Sequence, residues 1–100
     1  MKYNQFTMQA KVWLHPGMAG WHFITIPDDM SEEINERFGD KKRGWGSLPV
    51  EVTVGTTTWK TSIFPDKKAK AYVLPIKSEV RKKEGIAADI SVTLLLEIRV

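Results

Sequence analysis

The sequence predicts a mainly β protein, a small closed or nearly closed barrel of six strands with two short helices at the connections. Three observations predict it. Residues 3–14 and 90–100 alternate apolar and polar side chains with a period of two, as long half-buried strands do. Four shorter segments with strand-like composition lie between them, separated by turns containing Gly or Pro. The 100 residues contain no repeat, low-complexity tract or linker, so residues 1–100 are expected to form one domain.

The first strand is predicted to form a hairpin with the strand that follows it. Its apolar face consists of Phe6, Met8, Ala10, Val12 and Leu14. The triplet at 15–17, His-Pro-Gly, interrupts the alternation, because proline lacks an N–H donor and glycine permits a turn. Residues 21–26 are β-branched and aromatic, so we expect them to form the returning strand.

A change to helical period predicts a short helix over residues 29–38. Asp29 is a candidate N-cap, with Glu32 at the spacing of a capping box. One apolar stripe follows, made of Met30, Ile34 and Phe38. Gly39 can end the helix, and residues 40–47 are then a loop with two glycines and three consecutive bases.

The second half of the chain predicts the remaining strands. Strands at 50–54 and 57–64 form a hairpin that turns near Gly55, and a short strand covers 71–74. A second short helix covers 77–84, with Ser78 as a possible cap and Gly85 just past its end. The last strand, 90–100, has the strongest alternation. We expect it to pair with the first strand and so remove the open edges of the sheet.

Composition excludes several classes of protein. Without cysteine there is no disulfide framework, thiolate nucleophile or Cys-based metal site. The longest aliphatic run is Leu94 to Leu96, and the N-terminus lacks an apolar signal region, so we expect a soluble cytoplasmic protein. The net charge of +3 conceals a segregation, because residues 41–83 contain eleven bases and three acids. Such a basic centre attracts nucleic acid, anionic metabolites or an acidic protein, or else simply faces water.

The residues give no positive support for enzyme chemistry, and no catalytic residue, metal site or cofactor is predicted. His15 and His22 flank a turn and could share one side, but a zinc site normally needs three or four ligands. The serines lie in no nucleophile motif. The glycines at 44 and 46 lack the strand-to-helix context of a phosphate-binding loop.

Aromatic and basic residues are more informative. Trp45 follows three consecutive bases, a combination typical of stacking platforms for planar anions; the alternative is that it plugs the barrel end. Core packing is the better interpretation of Trp21 and Trp59. Lys77 and Arg81 fall one helical turn apart, where they suit a phosphate or carboxylate, or merely a solvated helix C-terminus. The hydroxyls of Thr61 and Ser62, on a nearby strand, would add hydrogen bonds.

An ordered series of motifs resembles one bacterial and archaeal family over nearly the whole chain. The motifs are GWHFITIP (20–27), GWGSLPVEVTVG (44–55), TWKTSIFP (58–65) and YVLPIKSEVRKKEGI (72–86). The family is catalogued as domain of unknown function DUF1905. The resemblance implies a small β-barrel with no established activity, cofactor or catalytic residue. Some relatives carry the domain beside another small module, which fits a binding role better than catalysis. Where the family commonly has Gly-Asp before the last strand, this chain has Ala88-Asp89, which puts that turn in question.

Together these features predict a non-enzymatic binding module for a small anionic or planar ligand. Trp45 and Trp59 would form apolar walls and Lys77 and Arg81 would supply charge. Thr61 and Ser62 would supply hydrogen bonds. The first alternative is weak, nonspecific nucleic-acid binding through residues 41–45 and 67–83. The second is a structural or protein-interaction domain whose basic stretch meets an acidic partner.

Overall fold

The computed structural model describes residues 3–17 and 20–100 and shows a closed, six-stranded antiparallel β-barrel, which confirms the predicted fold class. The strands are β1 (Gln5–Leu14), β2 (His22–Thr25), β3 (Leu48–Val54), β4 (Thr57–Asp66), β5 (Ala71–Pro75) and β6 (Ser91–Ile98). Around the barrel they follow the order β1, β2, β5, β4, β3, β6. Alternate side chains point inward and form one apolar core.

The barrel closes between the first and last strands, as the alternation of both predicted. β1 and β6 pair antiparallel from Gln5 opposite Glu97 to Lys11 opposite Ser91. On its other side β6 pairs with β3. The last strand is therefore hydrogen-bonded to a neighbouring strand along both of its edges.

Two short helices cover opposite ends of the barrel. Helix α1 (Asp28–Phe38) lies at the end where β5 begins, and helix α2 (Ser78–Glu84) follows the other end of β5. Single 3₁₀ turns at Gly39–Lys41 and Gly44–Gly46 lead from α1 into β3. Within the described ranges 3–17 and 20–100, no helix is long and apolar enough to cross a bilayer.

Both predicted helix caps are wrong. The N-cap of α1 is Pro27, while Asp29 lies inside the first turn, where its Oδ1 accepts a hydrogen bond from the Met30 amide. The N-cap of α2 is Lys77, and Ser78 is the first helical residue. Proline already fixes φ near the value that helix entry needs, so α1 begins one residue before the acidic residue proposed as its cap.

Ser31 joins α1 to the barrel. Its side chain is buried, and its Oγ donates to the Ile26 carbonyl oxygen at 3.1 Å. The Ser31 Oγ also accepts a hydrogen bond from the backbone N–H of Tyr72 at 3.1 Å. One hydroxyl therefore satisfies two buried backbone groups on separate segments.

The turn before β6 tolerates alanine at position 88. Its left-handed residue is Asp89, with φ 70°, whereas Ala88 has no positive φ. Aspartate visits this region more readily than most residues, because its short side chain hydrogen-bonds locally. The departure from the family's Gly-Asp therefore leaves both the turn and β6 in place.

Replacing Gly85 by alanine is expected to destabilise the protein by about 1 kcal/mol. Gly85 ends α2 in the left-handed conformation with φ 65°, and its N–H donates to the Arg81 carbonyl oxygen. A Cβ there meets no atom within 4 Å, so the cost comes from backbone conformation alone.

Gly44→Ala is the matched control, because a Cβ at Gly44 also meets nothing within 4 Å and the backbone there is not left-handed. Urea unfolding should show a lower midpoint for Gly85→Ala and a change within about 0.5 kcal/mol for Gly44→Ala. Equal losses in the two variants would contradict the backbone explanation.

Candidate functional site

A pocket of about 400 Å³ opens where β4 and β5 stop pairing; we call it the Trp59 pocket. The paired register of the two strands runs only from Asp66–Ala71 to Phe64–Val73. β5 then ends at Pro75, which has no N–H to donate to β4. Residues 59–61 of β4, the start of α2 and residues 20–22 line the resulting gap.

Four of the six predicted site residues line this pocket. Trp59 is only 8% exposed and belongs to the core, as predicted, and it is also among the residues that line the pocket. Lys77 and Arg81 lie beside it, together with Thr61. Lys60 adds a third cation, and no carboxylate is among the described residues that line the pocket. The pocket thus combines an apolar surface with three positively charged side chains.

Arg81 is held in place by backbone oxygens from two segments. Its Nε donates to the Ile76 carbonyl at 3.2 Å, and its Nη2 donates to the Gly20 carbonyl at 3.3 Å. These bonds use two of the five N–H donors of the guanidinium group. They fix a permanent positive charge at the pocket wall.

His22 has its ring orientation set by the same carbonyl. The Nδ1 atom lies 2.9 Å from the Gly20 carbonyl oxygen. Because a carbonyl oxygen only accepts, Nδ1 donates this hydrogen bond. The Gly20 carbonyl oxygen thus accepts from both His22 and Arg81 and holds the two side chains at the pocket.

Trp21 also lines the pocket, and the prediction that it packs in the core is wrong. It is 49% exposed and stacks on Phe23, with ring centroids 5.8 Å apart and planes inclined by 28°. Trp21 and Phe23 are two residues apart and so lie on one face of the strand, whereas Ile24 is fully buried on the opposite face. This alternation is the feature of the sequence from which the outward position of Trp21 could have been inferred.

Ser62 does not join Thr61 in the pocket. Ser62 lies opposite Pro49 of β3 and is not among the lining residues, whereas Trp59, Lys60 and Thr61 of the same strand are. The lining from β4 therefore ends at Thr61, and the two predicted hydroxyls are not brought together in this pocket.

Trp45 is also separate from the Trp59 pocket and does not plug the barrel. It is 92% exposed at the tip of a tight loop and has left-handed backbone angles, φ 63° and ψ 16°. Hydrogen bonds close the loop beneath it, from the Arg43 amide to the Ser47 carbonyl at 2.8 Å and from the Gly46 amide to the Arg43 carbonyl at 2.9 Å. A bulky residue in this conformation costs about 1–3 kcal/mol, which the surrounding loop contacts must offset.

The two histidines do not form a shared site. His15 Nδ1 accepts the Gly17 amide at 3.0 Å, and its ring lies against Trp13 and Phe23. His22 lines the Trp59 pocket instead. Within residues 3–17 and 20–100, no group of three or more His, Asp or Glu side chains could hold a metal ion.

Comparison with known proteins identifies one family. The sequence model described as "Domain of unknown function (DUF1905)" matches residues 8–96. No protein of curated function matches the chain. The matched range runs from the early part of β1 to within β6, and it contains every residue of the Trp59 pocket.

Proposed function

This chain belongs to the DUF1905 family of uncharacterised domains, and we propose that it is a non-enzymatic binding module for a small anionic ligand with a planar or apolar part. The observation that carries the proposal is the composition of the Trp59 pocket. Three cations, Lys60, Lys77 and Arg81, surround an apolar surface that includes Trp21 and Trp59.

The dimensions and electrostatics of the pocket support this ligand class. Its volume of about 400 Å³ lies within the range of roughly 300–1,000 Å³ that is typical of small-molecule sites. An anion would gain charge-assisted hydrogen bonds from Lys77 and from the anchored Arg81. A planar group would lie against the Trp21 ring, which is 49% exposed, beside the buried Trp59.

Binding without catalysis is favoured by how the polar groups are connected. Nucleophilic catalysis needs a hydroxyl activated by a base that is itself oriented by a third group. The Nδ1 of His22 bonds to the backbone oxygen of Gly20, not to a carboxylate, and the hydroxyls nearby are those of Thr61 and Ser78. This arrangement resembles a recognition site more than a catalytic relay.

Titration of the protein with phenyl phosphate, followed by tryptophan fluorescence, tests the proposal. We expect saturable binding that is tighter than that of either phenol or inorganic phosphate, because only phenyl phosphate uses both parts of the pocket. Lys77→Met should weaken it about 10- to 100-fold, since hydrogen bonds to charged groups contribute about 1.5–3 kcal/mol.

Lys83→Met is the matched control, because Lys83 is exposed on the same helix but does not line the Trp59 pocket. It removes the same charge and should leave the affinity nearly unchanged. Equal effects of the two substitutions, or no saturable binding of phenyl phosphate by the unmodified protein, would refute the proposal.

A further inference from the structure

The Trp59 pocket is one end of a longer surface groove. A second pocket of about 430 Å³, which we call the Phe64 pocket, shares Trp21 with it. A third, the Tyr72 pocket of about 380 Å³, shares Pro65, Asp66 and Lys67 with the second. Neighbouring pockets thus share lining residues, and we call the series of three, from the α2 end to the α1 end of the barrel, the track.

Aromatic rings with fixed orientation line the middle of the track. Trp13 and Phe23 are opposite each other across β1 and β2, with ring centroids 5.1 Å apart. Trp13 Nε1 donates to Thr25 Oγ1 at 2.9 Å, which fixes the indole. Beside them, Trp21 is 49% exposed and Phe64 is 36% exposed. Phe23 is only 9% exposed and supports the neighbouring rings, so Trp21 and Phe64 present the apolar surface on which planar groups can stack.

Positive charge is distributed along the whole track. Six cationic side chains line the three pockets against two carboxylates, Glu32 and Asp66. The cations are Lys60, Lys77 and Arg81 at one end, Lys67 in the middle, and Lys42 and Lys70 at the other end. One carboxylate is partly engaged, because Asp66 Oδ1 accepts the Lys68 amide at 3.0 Å. A linear polyanion would meet a cation in each of the three pockets.

At the far end of the track a lysine lies beside a buried tyrosine ring. Lys42 Nζ lies 5.8 Å from the centre of the Tyr72 ring. Tyr72 donates its hydroxyl to Asn35 Oδ1 at 3.1 Å, and burial raises the pKa of this hydroxyl, so it stays neutral at physiological pH. The loop that carries Trp45 packs here, because a Cβ on Gly46 would lie 3.1 Å from Pro65 Cγ. The Gly46 end of that loop therefore lies against Pro65, one of the residues that line the track.

We propose that this track binds single-stranded nucleic acid, with bases on the exposed rings and phosphates on the lysines. The inference rests on the proposed function, since it makes the ligand of the Trp59 pocket one nucleotide of a longer strand. Aromatic rings that alternate with cations along a groove are the arrangement by which strands are bound without sequence preference. In a duplex the faces of the bases are stacked on one another, and an acidic peptide has no regularly spaced planar groups. Both ligands would therefore contact the cations of the track but would not stack on its aromatic rings.

Fluorescence titration with an oligothymidylate of about 12 nucleotides tests the proposal, with thymidine monophosphate as the single-unit probe. This length falls within the site sizes of about 4–16 nucleotides known for small nucleic-acid-binding barrels. We expect the oligonucleotide to bind at least about tenfold more tightly than the monophosphate. Its affinity should fall linearly on a log–log plot against salt, with a slope of about −0.7 for each phosphate neutralised.

Variants in the middle of the track separate this inference from the proposed function. Phe64→Ala and Lys67→Met should each weaken oligonucleotide binding about fivefold or more, and leave phenyl phosphate binding in the Trp59 pocket unchanged. The controls are Tyr3→Ala and Lys11→Met, which remove an exposed ring and an exposed charge outside the track and should have little effect.

Each remaining outcome decides for or against the track. If phenyl phosphate binds but the oligonucleotide is no tighter than the monophosphate, the track is wrong and the Trp59 pocket keeps its proposed function. If the oligonucleotide binds and the track variants match the controls, the strand lies elsewhere. Equal binding of a duplex or of polyglutamate would show that charge alone is recognised. Oligonucleotide binding that responds to Phe64→Ala without any phenyl phosphate binding would support the track and reject the small-ligand pocket.

Discussion

Leu96→Ala is expected to lower the free energy of unfolding by about 2–5 kcal/mol, the usual range for a fully buried leucine. Leu96 is 0% exposed and lies opposite Phe6 of β1 and opposite Val52 of β3. Alanine would leave a void at the strand that closes the barrel, and two flanking strands limit how far the site can collapse. Since small domains are stable by only about 5–15 kcal/mol, the variant should be severely destabilised.

Urea unfolding followed by tryptophan fluorescence measures this loss, and Leu95→Ala is its control. Leu95 is the neighbouring leucine on the same strand, but it points outward between Thr7 and Thr53 and is only half-buried. The control removes the same atoms from a site that solvent can fill, so we expect a loss of about 1 kcal/mol or less. A loss for Leu95→Ala as large as for Leu96→Ala would mean that inward burial does not determine the stability of β6.

Ser31→Ala is expected to cost about 1–3 kcal/mol, although it removes a single oxygen atom. The hydroxyl accepts the Tyr72 amide and donates to the Ile26 carbonyl, and both interactions are buried. After the substitution the Tyr72 N–H has no acceptor in an interior that excludes water. The cost is therefore the desolvation of an unsatisfied donor, and it exceeds what the loss of one exposed hydrogen bond would cause.

Amide hydrogen exchange tests this explanation at one atom. The Tyr72 amide should be protected in the unmodified protein and should exchange faster in Ser31→Ala by more than the global loss of stability accounts for. Ser78→Ala is the control, because Ser78 is an exposed serine in the first turn of the other helix. If Tyr72 exchange in Ser31→Ala only follows the global stability, the hydroxyl is not its essential acceptor.

Period-two alternation predicted most of the fold because it is a direct consequence of one buried face. β1 and β6 are long enough for the pattern to stand out, and their pairing followed from the need to cover both edges. The bridging role of Ser31 was not predictable. It depends on the Tyr72 amide, 41 residues away, and that contact exists only once α1 lies across the barrel end.

Lys77 and Arg81 line the same pocket because Lys77 is the N-cap of α2 and Arg81 lies four residues further along. Strand alternation places Thr61 and Ser62 on opposite faces, but it does not decide which residues line the pocket, since the neighbours Lys60 and Thr61 both do. The gap between β4 and β5 could not be predicted from the sequence. It requires that Pro75 lie beside β4 after the pairing has ended, and strand order around a barrel is not encoded in any local pattern.

The seam between β1 and β6 has a consequence for biosynthesis. Gln5 and Glu97 are 92 residues apart, and their side chains are joined by a hydrogen bond of 3.0 Å across that seam. At roughly 5–20 residues per second, a ribosome needs about 5–20 s to make the chain between them. Throughout that interval β1 has one unpaired edge and the core has one open side. The domain therefore acquires its cooperative stability only after β6 emerges, and its nascent form depends on rapid closure, or on a chaperone, to avoid pairing with another chain.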